Sequence, residues 1–186
     1  LLRKSCIVTV LSPQNRLIDI FKKMGFQTIQ MSYKIIFFNI FKILFYKKSY
    51  LIEKKPAKIQ TSLSKKDLKI YKDHNHKTFI KFNIANINNK SSYCLVIAKI
   101  IKKKKYFKVL NILYVSNLSF FQKNWDSINV ELFKTYKVFF YGHYFIRKTD
   151  CIFLSKLSLS INFKKAICVK NLPKKFIFNT LYSEAI

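Results

Sequence analysis

Residues 15–26 read NRLIDIFKKMGF, and the rest of the chain is placed around them. Leu17, Ile18, Ile20, Phe21 and Met24 fall at i, i+1, i+3, i+4 and i+7, the spacing of one apolar face on a short helix. Ser12, Pro13 and Asn15 supply helix-start chemistry, since proline suits a first turn and Ser or Asn side chains can cap free N–H groups. Gly25 predicts the stop, because a residue just past a helix enters the left-handed region most cheaply without a Cβ. Residues 6–10, CIVTV, read as a strand before the helix, and the β-branched and aromatic run after Phe26 reads as a strand behind it. The unit is strand, short helix, Gly-Phe, strand.

That unit resembles the closing segment of the GNAT superfamily of acyl-CoA N-acyltransferases, where a strand is followed by Asn and an apolar helix ending in Tyr-x-x-x-Gly-Phe. The resemblance spans residues 6–38. Leu68 to His74, the run Asn111-Ile112-Leu113-Tyr114 and the tail Leu181-Tyr182-Ser183-Glu184-Ala185 resemble landmarks of a bacterial acyl-CoA acyltransferase group built from two GNAT-like halves. Pro173-Lys174-Lys175-Phe176 stands where that group has a Pro-Lys-aromatic element, at a shorter distance from the tail.

The resemblance implies an α+β fold, a GNAT-like mixed and mostly antiparallel sheet flanked by helices. It divides the chain into residues 1–55, the end of a first half, and residues 56–186, a degenerate second half. The implied activity is transfer of an acyl group from acetyl-CoA or another acyl-CoA to an amine. The implied partners are that cofactor and an amine acceptor.

The family's residues carry over only in part. The asparagine that opens the family's helix falls on Gln14 without a gap, or on Asn15 after a one-residue deletion. Either amide is a candidate cofactor contact, and an N-cap explains Asn15 equally well. The family's frequent general acid, a tyrosine four residues before Gly-Phe, falls on Phe21, which has no proton to give. A GNAT holds the cofactor pyrophosphate on backbone N–H groups in a Gln/Arg-x-x-Gly-x-Gly/Ala loop between its fourth strand and the next helix. There the helix N-terminus offers free donors and glycines admit the phosphates. In the second half that loop is Val115-Ser116-Asn117-Leu118-Ser119, without glycine; in the first half it would precede Leu1. The chain opens on Leu1 rather than methionine, which reads as a fragment. No catalytic residue is assigned, and the expected activity is impaired.

Composition leaves other classes open. The chain has 186 residues, half of them hydrophobic, and a formal charge of +28. That is enough apolar content for a sizeable core. So strong a charge ordinarily points to nucleic acid or an anionic membrane surface, and non-specific polyanion binding is open to it. Yet only Arg3, Arg16 and Arg147 are arginines, and arginine is the usual residue for bidentate phosphate or base contacts. Abundant Lys, Ile, Asn, Phe and Tyr with two glycines also fits drift in an AT-rich genome. A basic nucleic-acid-binding or ribosome-associated protein and a non-functional remnant are therefore the alternatives. Without a signal peptide or a long uncharged apolar stretch, the expected location is cytoplasmic.

Further along, residues 40–52 have helical spacing and read either as a core-packed helical connector or as a surface-lying amphipathic segment. Ser64 to Asp67 resembles a capping box opening a helix that ends near His74. Residues 78–84, 93–101 and 106–115 read as a meander, with a charged tip at 102–105. Ser119 is expected to cap a long helix whose face is Phe121, Trp125, Ile128, Leu132 and Tyr136. Residues 137–141, 151–163 and 166–169 read as strands. Cys6, Cys94, Cys151 and Cys168 form no C-x-x-C and read as buried thiols. His74 and His76 have no second ligand pair, so no metal site is assigned, and His74 reads as a partner for helix-end carbonyls. His143 has no neighbouring partner that would argue for a triad.

Overall fold

The computed structural model describes residues 7–11, 15–54, 63–74, 77–87, 93–104, 107–145, 149, 151–153 and 160–170. Strand β1 (Ile7–Leu11) leads to helix α1 (Asn15–Lys23) and strand β2 (Gln27–Phe37). After a 3-10 turn at Ile40–Ile43 come β3 (Tyr50–Glu53), α2 (Lys65–Asp73), β4 (Phe79–Asn86), β5 (Tyr93–Lys104) and β6 (Phe107–Val115). Two helices, α3 (Leu118–Lys123) and α4 (Trp125–Tyr136), then precede β7 (Phe140–Phe145) and β8 (Ser160–Lys170).

All eight strands form one sheet in the order β1-β8-β2-β7-β6-β5-β4-β3. Every neighbouring pair is antiparallel except β6 with β7. The mixed, mostly antiparallel sheet flanked by helices that the resemblance implies is therefore present. Strand alternation sorts the side chains. Phe82, Ile84, Val96, Leu110 and Ile112 meet Phe121, Trp125, Ile128 and Leu132 of α3 and α4 in the main core. Leu95 on the other face packs under Tyr71 of α2.

Helix α1 closes as its sequence dictates. Gly25 has φ +80°; its N–H donates to the Lys22 carbonyl at 2.9 Å and the Phe26 N–H to the Phe21 carbonyl at 3.0 Å. The Phe21 and Phe26 rings meet edge to face at 5.1 Å. This double hydrogen bond with its apolar clasp is a Schellman closure. The apolar face is only partly used, however: Leu17, Ile20 and Met24 are exposed.

Several expectations are corrected. Residues 40–52 form no long helix, and the connector is core-packed only in part, through Ile43, Tyr46, Tyr50 and Ile52. A 3-10 turn, capped by the Asn39 side chain on the Phe41 N–H, leaves Phe41, Leu44 and Phe45 at 69%, 76% and 87% exposure. The chain must then enter β3 beside β4 at Tyr50, and that long-range pairing overrides a helical spacing built from poor helix formers such as Ile and Phe. The long helix is two helices with a break at Asn124. Its cap is Asn117, which accepts the Phe120 N–H, rather than Ser119. Residues 151–153 are not a strand. The last strand runs unbroken from Ser160 to Lys170, pairing Lys164 with Ser32 and Lys165 with Met31. The 102–105 tip is strand as far as Lys104. Residues 173–176 and the 181–185 tail lie outside the described residues.

Candidate functional site

The parallel pair is where a site is to be sought. β6 and β7 pair from Val109↔Phe140 to Ile112↔His143. Beyond that, β6 stays with β5, to Val96↔Val115, while β7 stays with β2, to Ser32↔Phe145. A register shift between Ile97 and Ala98 in the β5–β6 ladder adds the local bend that bulges produce. The two strands therefore part at their carboxyl ends. That is the position where open sheets containing parallel strands take up ligands, and the next helix begins there.

In this chain the last pair before the parting point is bridged and packed over. The His143 ring holds the Ile112 carbonyl through Nδ1 at 2.9 Å. The Phe153 ring stands 6.1 Å from the His143 ring and 4.9 Å from the Trp125 indole, centroid to centroid. Cys151, Ile152 and Phe153 are buried. Gln122 of α3 fastens this strap, its amide donating to the Cys151 carbonyl at 2.7 Å and the Thr149 carbonyl at 3.1 Å. Lys34 of β2 donates to the Phe153 carbonyl at 3.4 Å. Carbonyls held by Gln122 and Lys34 are turned to side chains instead of a neighbouring strand, which is why 151–153 does not continue as β-structure.

The rim loop is similarly engaged. The Ser116 N–H donates to the Leu95 carbonyl at 2.9 Å, and its Oγ accepts the Leu95 N–H at 2.9 Å. Asn117 Oδ1 accepts from the Phe120 N–H and from the Ser119 hydroxyl, each at 3.0 Å. The Asn117 carbonyl takes the Phe121 N–H at 3.0 Å. A loop without glycine, with its cap already satisfied by its own asparagine, does not fit a pyrophosphate. The Cys94 thiol beneath it is buried, and burial pushes it up to about 11, so it is no thiolate nucleophile at neutral pH.

Of the candidate cofactor residues, Gln14 lies outside the described residues, and Asn15 is the first residue of α1. Helix α1 packs on β2 and β8, whereas the parting point lies between β6 and β7. Phe21, in the place of the family's tyrosine, is the inner half of the Schellman clasp. His74 Nδ1 stands 2.9 Å from the Ile70 carbonyl at the end of α2, the helix-end role its position predicts. Cys94, Cys151 and Cys168 are buried free thiols, and Cys6 is outside the described residues.

Sequence reasoning missed a tight contact on the opposite face. A Cβ on Gly142 would come within 2.7 Å of Tyr33 Cζ and 3.0 Å of Asn111 Oδ1. Gly142 is thus the glycine over which a buried tyrosine lies, with Tyr33 stacked on Tyr144 at 4.2 Å. A glycine inside a strand is the one available signal of such a close approach. A groove at the β3–β4 edge, lined by Leu51, Glu53, Asn83, Asn86 and Tyr93, carries no acid–base pair.

No family model matches the chain, and no curated protein matches it. Among solved structures it is similar to a functionally unknown conserved protein from Staphylococcus epidermidis, with TM-score 0.58 and 13% identity, over 90% of this chain and 73% of that one. That likeness shows the fold alone. It is also similar to a GCN5-related N-acetyltransferase from Anabaena variabilis, with TM-score 0.48 and 11% identity, over 87% of this chain and 45% of that one.

Proposed function

We propose that the chain is a homologue of acyl-CoA-dependent N-acyltransferases in which transfer of an acyl group to an amine is impaired. The observation carrying this reading is the parallel β6–β7 pair that parts at its carboxyl ends, with His143 bridging its last pair and Phe153 packed on His143 and Trp125. The sheet order and the strand–helix–Gly-Phe–strand unit support the homology; the self-capped rim loop and Phe21 support the impairment. In this reading residues 1–55 are the end of a first half and residues 56–186 a second. Gln14 and Asn15, where the family has its helix-opening asparagine, are the candidate amide contacts for an acyl-CoA in this reading. Location in the cytoplasm belongs to the same proposal. Among the described residues, no helix is long and apolar enough to cross a membrane.

Thermal unfolding of the chain with acetyl-CoA tests it. A ligand at a hundredfold over its Kd stabilises by about 2.7 kcal/mol, which raises the Tm of a chain this size by roughly 5–10 °C. No saturable rise at millimolar cofactor is expected. A saturable rise, with acyl transfer to any amine, would overturn the impairment. The basic nucleic-acid-binding alternative has no specific observation in its favour.

A further inference from the structure

The turn between β2 and β3 is built the wrong way round for a soluble connector. Phe41, Leu44 and Phe45 are its most exposed large apolar residues, and Ile40 is half-exposed. Phe139, also exposed, belongs to the same end of the sheet, since its carbonyl takes the Phe38 N–H at 2.7 Å. Large apolar side chains gathered at one end of a molecule mark a contact surface.

Charge identifies what the surface fits. Lys47 and Lys48 follow the turn and are exposed. Lys134 lies over the Tyr46 ring at 4.5 Å, and Lys137 over the Phe133 ring at 5.8 Å. The carboxylates at this end are engaged, Asp126 with Lys42 and Glu131 with Lys134. A second copy of this chain would bring two lysine collars together within a charge of +28 each. Duplex nucleic acid would meet the lysines but leave the phenylalanines in water, and a single strand stacks its bases on aromatic rings but offers nothing apolar to Leu44 and Ile40. An anionic bilayer satisfies both, with headgroups for the lysines and acyl chains for the apolar tips.

We propose that the 40–45 turn is a membrane-docking surface that inserts Phe41, Leu44 and Phe45 into an anionic lipid bilayer while the surrounding lysines hold its headgroups. Attachment is peripheral and needs both components, as short apolar insertions and basic patches do.

The test is co-sedimentation of the chain with vesicles of phosphatidylcholine containing about a quarter phosphatidylglycerol, against phosphatidylcholine alone. Binding only to the anionic vesicles is expected. Substituting Phe41, Leu44 and Phe45 together by serine should weaken it about tenfold or more, with the unfolding transition unchanged because all three are exposed. In Phe45→Trp the introduced indole should shift to the blue on vesicle addition, once wild-type emission is subtracted. That single variant decides the matter if the triple variant does not fold. Undiminished partition of the triple variant, absence of the blue shift, single-stranded RNA binding by wild type that the triple variant loses, or a wild-type dimer that the triple variant disperses would each overturn the proposal.

Discussion

Two side chains carry consequences that a single substitution reads out. At Gly142 an added methyl meets a ring that is itself buried and stacked, so the neighbour has little room to yield. Gly142→Ala should destabilise by about 1–3 kcal/mol, the usual cost of overpacking, seen as a lower urea midpoint. Tyr33→Phe in the same chain should recover part of it. Tyr46 is pushed up to about 12, chiefly by burial and then by its hydrogen bond to Glu131. Its folded value lies above its unfolded value near 10, so the folded state holds the proton more tightly. The resulting stability is complete below pH 10 and is lost as pH rises towards 12. The urea midpoint of wild type relative to Tyr46→Phe should fall across that window, whereas below pH 9 the difference should be flat.

At the level of elements, what sequence reasoning recovered was local, and what it lost depended on partners distant in the chain. Half of the Ser64 box holds as read: the Asp67 N–H donates to Ser64 Oγ at 3.1 Å, while the Asp67 carboxylate accepts the Ser64 hydroxyl at 2.6 Å. The Gly25 closure is equally local. The cap of α3 lies two residues before the one its sequence suggests, because Asn117 and Ser119 are both capping types and only the fold shows that the helix starts at Leu118. Asn117→Ala should therefore cost about 1 kcal/mol in thermal unfolding, and Ser119→Ala much less. The strap at 151–153 reads as strand in the sequence because its apolar run is strand-like; Gln122 and Lys34, far from it in sequence, redirect its carbonyls. The site itself was legible mainly as a lack, in the missing glycines and in Phe21. Its closure by Phe153 was not, since nothing adjacent to Phe153 announces Trp125 or His143.

For the whole molecule, the sheet order is decisive. β2 lies between β7 and β8 and gives Ile36 to the main core. Residues 56–186 alone would expose the flanks of both strands and lose that side chain. Produced without residues 1–55, they should show no cooperative urea transition and little near-ultraviolet circular dichroism, whereas the whole chain shows both. A cooperative transition in the shortened chain would mean that the second half holds a core of its own.

The same arrangement governs how the chain comes to its fold. Thr28 on β2 meets Cys168 on β8 across 140 residues, and Phe37 on β2 pairs with Phe140 on β7, so β2 has no sheet neighbour until β7 has been made. Contacts so distant are slow to close, and an unpaired apolar strand in waiting is prone to pair with the wrong neighbour. On a ribosome, β3 to β6 can assemble as a meander while β2 stands idle beside them. The chain should accordingly refold slowly and in more than one phase, with β2 the last strand to take its place between β7 and β8.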